Sequence, residues 1–184
     1  MKVKEIVALA AENIGREDLA ETLASLSGEP TGELKALLRC YNLVENEVAI
    51  DYFPPKREEN VLPEQGAVAF SSLSRIPVEI CRVRNAEGED VRYELHPSCL
   101  LLPEGTGAVT IAYAYSPANK TYADESEFQG KVSARLLSFG VAGEFCLSSE
   151  RYSEAAIWQK RFQDALRAAD YHKRRITVRA RRWV

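Results

Sequence analysis

Apolar residues along this chain keep a helical period of about 3.6, switch to a period of 2, and then return to 3.6. Val3, Ile6, Val7, Ala10 and Ile14 fall on one helical face, and Leu19, Leu23 and Leu26 mark a second, shorter one. Gly28-Glu-Pro30-Thr-Gly32 breaks the run. A longer helix is predicted from about Glu33, with Leu34, Leu37, Leu38, Tyr41, Val44 and Val48 on its stripe. Thr31 is positioned to cap it, and Glu33 sets an anion near the positive end of its dipole. Pro54-Pro55 stops it, because proline lacks the donor a helix needs and restricts the residue before it.

Residues 56–66 are charged and read as a loop. Beyond them the period is that of strands. Val78–Arg84 and Val91–Leu95 flank Asn85-Ala-Glu-Gly88, which has hairpin turn chemistry. A strand over Cys99–Leu102 turns through Pro103-Glu-Gly105-Thr-Gly107. Val109, Ile111, Tyr113 and Tyr115 then alternate with Thr110, Ala112 and Ala114, and Pro117 ends the run. Four or five short antiparallel strands are thus predicted between about 67 and 116. Helical spacing resumes near Glu125 with Phe128, Val132, Leu136, Phe139, Gly143 and Cys146, the glycine permitting close helix approach. After a break at Leu147–Tyr152, a last helix carries Trp158, Phe162, Ala165, Leu166 and Ala169, read as core.

The predicted class is therefore α+β, a helical bundle with an inserted small antiparallel β-sheet and an extended basic C-terminal arm. Its parts are N-terminal helices over 1–55, a β-domain over 67–117, C-terminal helices over 124–172, and the arm over 173–184. At 184 residues, with 46% hydrophobic and 28% charged side chains, the chain is long enough for its own core and too apolar to be disordered throughout. Glu5 and Glu12 interrupt the N-terminal apolar run, which argues for an amphipathic helix over a secretory leader, and no stretch reaches the length of a membrane span.

Charge is divided unevenly. Residues 171–184 hold six basic side chains and no Asp or Glu, so the other 170 residues hold 18 basic against 27 acidic, a net of −9. Lys173, Arg174, Arg175, Arg179, Arg181 and Arg182 supply the positive charge, while Ile176, Val178 and Trp183 add apolar positions with the alternation of a strand. Arg and Trp are enriched at the energetic centres of interfaces, and 14 extended residues reach at most ~50 Å, so these nine residues are the predicted partner-binding set.

Chemistry-bearing motifs are sparse. Gly105-Thr-Gly107 joins two strands, whereas a phosphate-binding loop must open a helix. The four cysteines have no CxxC pair, and His96-Pro-Ser-Cys99 with Cys81 lacks the second close pair that zinc requires. A small thiol-dependent enzyme assembled from Cys99 or Cys81 with His96 is a further competing expectation. The expectation is a protein without enzymatic activity, metal or cofactor.

From Asp124 to Val184 the chain resembles proteins encoded in phage structural gene clusters. The likeness is carried by Ser133-Ala-Arg-Leu-Leu-Ser-Phe-Gly140, Ala142-Gly-Glu-Phe-Cys-Leu147, Arg151-Tyr152, Ala155-Ala-Ile-Trp158, Arg161-Phe162 and Arg181-Arg-Trp183. Leu38-Arg-Cys-Tyr-Asn-Leu43 and Asp51-Tyr-Phe-Pro54 extend it more loosely to the first half. It is similar to the head–tail connector adaptors of tailed bacteriophages. That resemblance implies a structural virion protein at the head–tail neck, assembled in the host cytoplasm and away from membranes. It also implies a homo-oligomeric ring, of twelve copies in this family, that joins the portal protein to the tail or to a tail-terminator or stopper protein. DNA would pass through the lumen without specific binding. A nucleic-acid-binding module acting through the basic tail is the competing expectation.

Overall fold

The computed structural model describes residues 1–171 apart from 27, 29, 31, 129 and 131. The predicted arm, 173–184, and the predicted cap at Thr31 therefore lie outside the described residues. Helices occupy both ends of the described chain and strands its middle, in the order α1 (Val3–Asn13), α2 (Glu17–Ser25), α3 (Gly32–Glu47), β1 (Lys56–Val61), β2 (Ala67–Ala69), β3 (Pro77–Arg84), β4 (Glu94–Leu95), β5 (Cys99–Leu101), β6 (Val109–Tyr115), α4 (Ala134–Ser148) and α5 (Tyr152–Tyr171). These divide into two compact units. Among the described residues, one comprises 1–44 and those from 120 to 171, and the other Glu45–Asn119.

In the helical unit, α4 packs against α5 and α1, and α1 packs against α2. The predicted stripes are the buried ones: Val3, Ile6, Val7 and Ala10 of α1, Leu19 and Leu23 of α2, and Leu34, Leu37, Tyr41 and Val44 of α3. Burial of such side chains is the main favourable contribution to folding here. Close approach occurs at Gly140 more than at Gly143. A Cβ on Gly140 would stand 2.7 Å from a Val44 methyl and 3.0 Å from the Phe162 ring, whereas one on Gly143 would meet the end of Gln159 at 3.3 Å.

The helix predicted from Glu125 begins only at Ala134. Ser133 is its N-cap, the side-chain oxygen accepting from the Leu136 amide at 3.1 Å, and Gly130 adopts a left-handed φ of 82°. Phe128 and Val132 are buried as expected, but from irregular chain. That segment straps the N-terminus. Val3 N–H donates to the Asp124 carbonyl (3.1 Å) and Ser126 N–H to the Met1 carbonyl (2.9 Å). Asn42 clasps the main chain of Lys120 in both directions (2.6 and 3.1 Å), and the Tyr122 hydroxyl donates to the Leu34 carbonyl at 2.6 Å. Burial pushes the Tyr122 phenol well above its ordinary range.

The β unit holds two three-stranded antiparallel sheets, β1-β6-β3 and β2-β5-β4, in place of one. Before them α3 passes into a π-helical turn over Val48–Tyr52, closed by a bond from Phe53 N–H to the Val48 carbonyl just ahead of Pro54-Pro55. The stretch expected to be a loop at 56–66 contains β1, which pairs in unbroken register with β6 from Lys56↔Ala114 to Val61↔Val109. The Asn85–Gly88 turn forms, and Val91 N–H still reaches the Val83 carbonyl at 2.9 Å. The chain then leaves β3, and β4 pairs with β5 instead. The large face of β6 (Val109, Ile111, Tyr113) is buried with Val68, Leu73, Val83, Leu100 and Leu102 in the unit's core. Among the described residues, no helix is long and apolar enough to cross a membrane.

Candidate functional site

His96 and Cys99 face each other across the β4–β5 turn, where the His96 amide donates to the Cys99 carbonyl at 2.9 Å. Their side chains do not form one site. His96 lines a groove with Phe70, Ile76, Val78 and Leu95, while Cys99 lines a different one with Val61, Leu62, Val68 and Ser71. Cys81 is exposed on β3, in the other sheet. No group of three or more His, Cys, Asp or Glu side chains that could hold a metal ion occurs among the described residues. Cys40 and Cys146 are buried in helices, and burial raises both thiols, which favours the unreactive protonated form.

The polar clusters are built to hold backbone in place. Glu59 of β1 turns toward the core face of its sheet, where its carboxylate accepts the Tyr113 hydroxyl at 2.6 Å and the Ser74 amide at 3.0 Å. The Ser74 hydroxyl donates to it as well, and the Arg57 guanidinium lies 3.0 Å away. Burial opposes ionisation of Glu59, but the bonds from Ser74 and Tyr113 and the charge of Arg57 outweigh it and hold the carboxyl below its usual range. Tyr113 is pushed the other way, chiefly by burial. A carboxylate whose lone pairs are committed to four donors is a clasp across β1, β6 and the turn before β3, poorly suited to act as a general base.

In the helical unit Arg16 forks between Asp18 and Glu33, with bonds of 2.7–2.9 Å, and so ties the start of α2 to the start of α3. Those bonds hold both carboxyls below their ordinary values. Lys120 and Glu127 form a 2.7 Å ion pair with side chains only 11% and 18% exposed. It fastens the irregular segment on itself.

One further cluster pairs aromatic rings with cations on α4 and α5. Trp158, predicted as core, sits half-buried at the edge of α5, and only Phe162 of that pair is fully inside. The Trp158 indole stacks on Phe139 of α4, with centroids 5.8 Å apart and planes inclined by 28°. Arg161 lies over the Trp158 ring, 4.7 Å from its centroid, and Arg135 lies 5.4 Å from the Phe139 ring. Two aromatic rings and two guanidiniums from two helices thus form one ladder of neighbouring groups. The spacing that produces it, Arg135 to Phe139 at i,i+4 and Trp158 to Arg161 at i,i+3, is present in the sequence. Attention to apolar stripes alone passes over it.

No protein-family model matches the chain, and no curated protein matches it.

Proposed function

We propose that the protein is a structural component of a tailed-bacteriophage particle, a ring-forming adaptor that joins the portal to the tail. The observation that carries this reading is the order of its parts. A helical unit is made from both ends of the chain, and a β unit is inserted between α3 and α4, the arrangement the resemblance implies. The division of charge supports it further. A body with a net charge of −9 and a terminal segment with six basic residues are complementary surfaces, as neighbouring subunits of a ring require. In this reading residues 173–184 grasp a neighbouring subunit or the portal, and the clusters of the β unit serve structure alone.

Deleting 173–184 tests it. The truncated protein should keep the wild-type circular dichroism spectrum and melting temperature, while DNA-filled heads assembled with it fail to acquire tails. Normal tail attachment would remove the segment from the account. A second reading rests on the same concentration of positive charge. A nucleic-acid-binding module would bind DNA without sequence preference and release it steeply as salt rises. A purified protein that ignores DNA at low salt eliminates that reading.

A further inference from the structure

The ladder Arg135–Phe139–Trp158–Arg161 leaves two guanidiniums without carboxylates. Both arginines are exposed, and neither forms an ion pair among the described residues. Each guanidinium carbon lies within about 6 Å of an aromatic ring, an attraction that restrains the fork while its N–H groups make no ion pair among the described residues. Ile157, 55% exposed, adds apolar surface one helical turn before Arg161. Rigid aromatics and arginines on adjacent helices have the composition of an interface centre.

A matching surface of opposite sign lies elsewhere on the helical unit. On α1, Glu5, Leu9 and Glu12 follow one another at i, i+4 and i+7, which sets them in a row along one helix face. All three are exposed, Leu9 at 39%, and neither glutamate makes an ion pair among the described residues. The ladder offers two cations beside apolar rings and the row offers two anions around Leu9, each on regular helix. We infer that the ladder of one copy docks on the Glu5–Leu9–Glu12 row of a second copy, Arg135 and Arg161 taking the two carboxylates while the aromatic pair covers Leu9. Two different patches meeting in this way form a heterologous contact, which builds a ring when its rotation closes. This deepens the ring-forming reading and rests on it.

The experiment uses the full-length protein and sedimentation velocity across a concentration series, without portal or tail. Wild type should self-associate, and more weakly as salt rises. R135E/R161E and E5R/E12R should each associate at least tenfold more weakly while keeping the wild-type circular dichroism spectrum. The first replaces an arginine in the opening turn of α4, where a glutamate suits the helix dipole. If either charge reversal misfolds, R135Q/R161Q and E5Q/E12Q carry the same test. An equimolar mixture of the two charge-reversed proteins presents complementary patches again, so it should assemble as wild type does. A wild type that stays monomeric at every concentration overturns the inference, as do variants that associate like wild type. Loss in both variants without recovery in the mixture overturns the pairing of these two patches. Unchanged self-association with loss of DNA binding in R135E/R161E would reassign the ladder to nucleic acid. Because tail attachment is scored separately on particles, the adaptor reading and this contact can fail independently.

Discussion

The two units reach order by different means. The helical unit fills its interior with large side chains from five helices, among them Ile6, Leu23, Leu37, Leu137, Phe162 and Leu166, each at most 1% exposed. At Gly140 its helices approach as closely as a missing side chain allows. Its charged bonds lie at the margins, in the Arg16 fork and in the strap around Lys120, and its buried ones, such as that from the Tyr122 hydroxyl to the Leu34 carbonyl, are between uncharged groups. The β unit has a smaller core and sets a carboxylate against it, where Tyr113, fully buried, reaches Glu59. It also leaves Ile76, Val78 and Leu95 between 55% and 78% exposed. Packing dominates the first unit. In the second, short strands with little apolar surface to share depend on a polar clasp as well.

If that contrast holds, core truncations should act most strongly. Phe162→Ala should cost about 3–5 kcal/mol and Leu100→Ala about 2–5 kcal/mol, each raising amide exchange first in the unit that contains it. Exchange that rises evenly across both units after either change would erase the contrast. Next comes the close approach within the helical unit. Gly140→Ala should cost about 1–3 kcal/mol by overpacking, and Gly143→Ala less, because the atom it meets ends a flexible glutamine. A reversed order in urea midpoints would place the tight contact at the wrong glycine.

The clasp should give a smaller effect with a definite pH signature. Tyr113→Phe removes a hydrogen bond to a charged acceptor, worth about 1.5 kcal/mol at neutral pH. The Glu59 carboxyl is held below its usual range in the fold, so its contribution is present above the ordinary glutamate value of about 4.3 and is lost as pH falls through the depressed folded value. The gap in urea midpoint between wild type and Glu59→Gln should therefore narrow from pH 7 to pH 3. A constant gap would make Glu59 a packing residue only. The smallest change is expected from Arg16→Ala, whose partners are exposed and screened by salt. Its melting temperature should lie close to wild type and closer still in high salt.

The same contrast governs what the sequence made legible. Helical stripes in α1, α2 and α3 translate largely into burial, because one face of each is apolar and the other charged, whereas on α5 only Phe162 and Leu166 of the predicted stripe are buried and Trp158 stays at the edge. The strand β1 was hidden since its core-facing positions are Arg57, Glu59 and Val61. Only the last looks apolar, and the clasp that makes Glu59 tolerable there lies some fifteen and fifty residues away, at Ser74 and Tyr113. Phe128 and Val132 misled in the opposite direction. Their burial fits a helical spacing, but Gly130 and the Ser133 cap stop a helix from forming through them. The alternation of β6 was sufficient to identify a strand with one large face, but its place at the centre of its sheet comes from pairing with β1 and β3. The predicted strands over Val91–Leu95 and Cys99–Leu102 contain β4 and β5, but the three-residue β2 is too short for a period to show, and nothing in the sequence assigns these strands to a sheet of their own. The predicted partner-binding segment, 173–184, is legible only as composition and alternation. The ladder on α4 and α5 was available as spacing but requires two helices to be brought side by side.

The most direct measurement is the position of the protein in assembled particles. Immunogold labelling of purified virions, with mass spectrometry of the same preparation, should find it in mature particles with label at the neck between head and tail. Mature, infectious particles that lack the protein altogether would contradict the account.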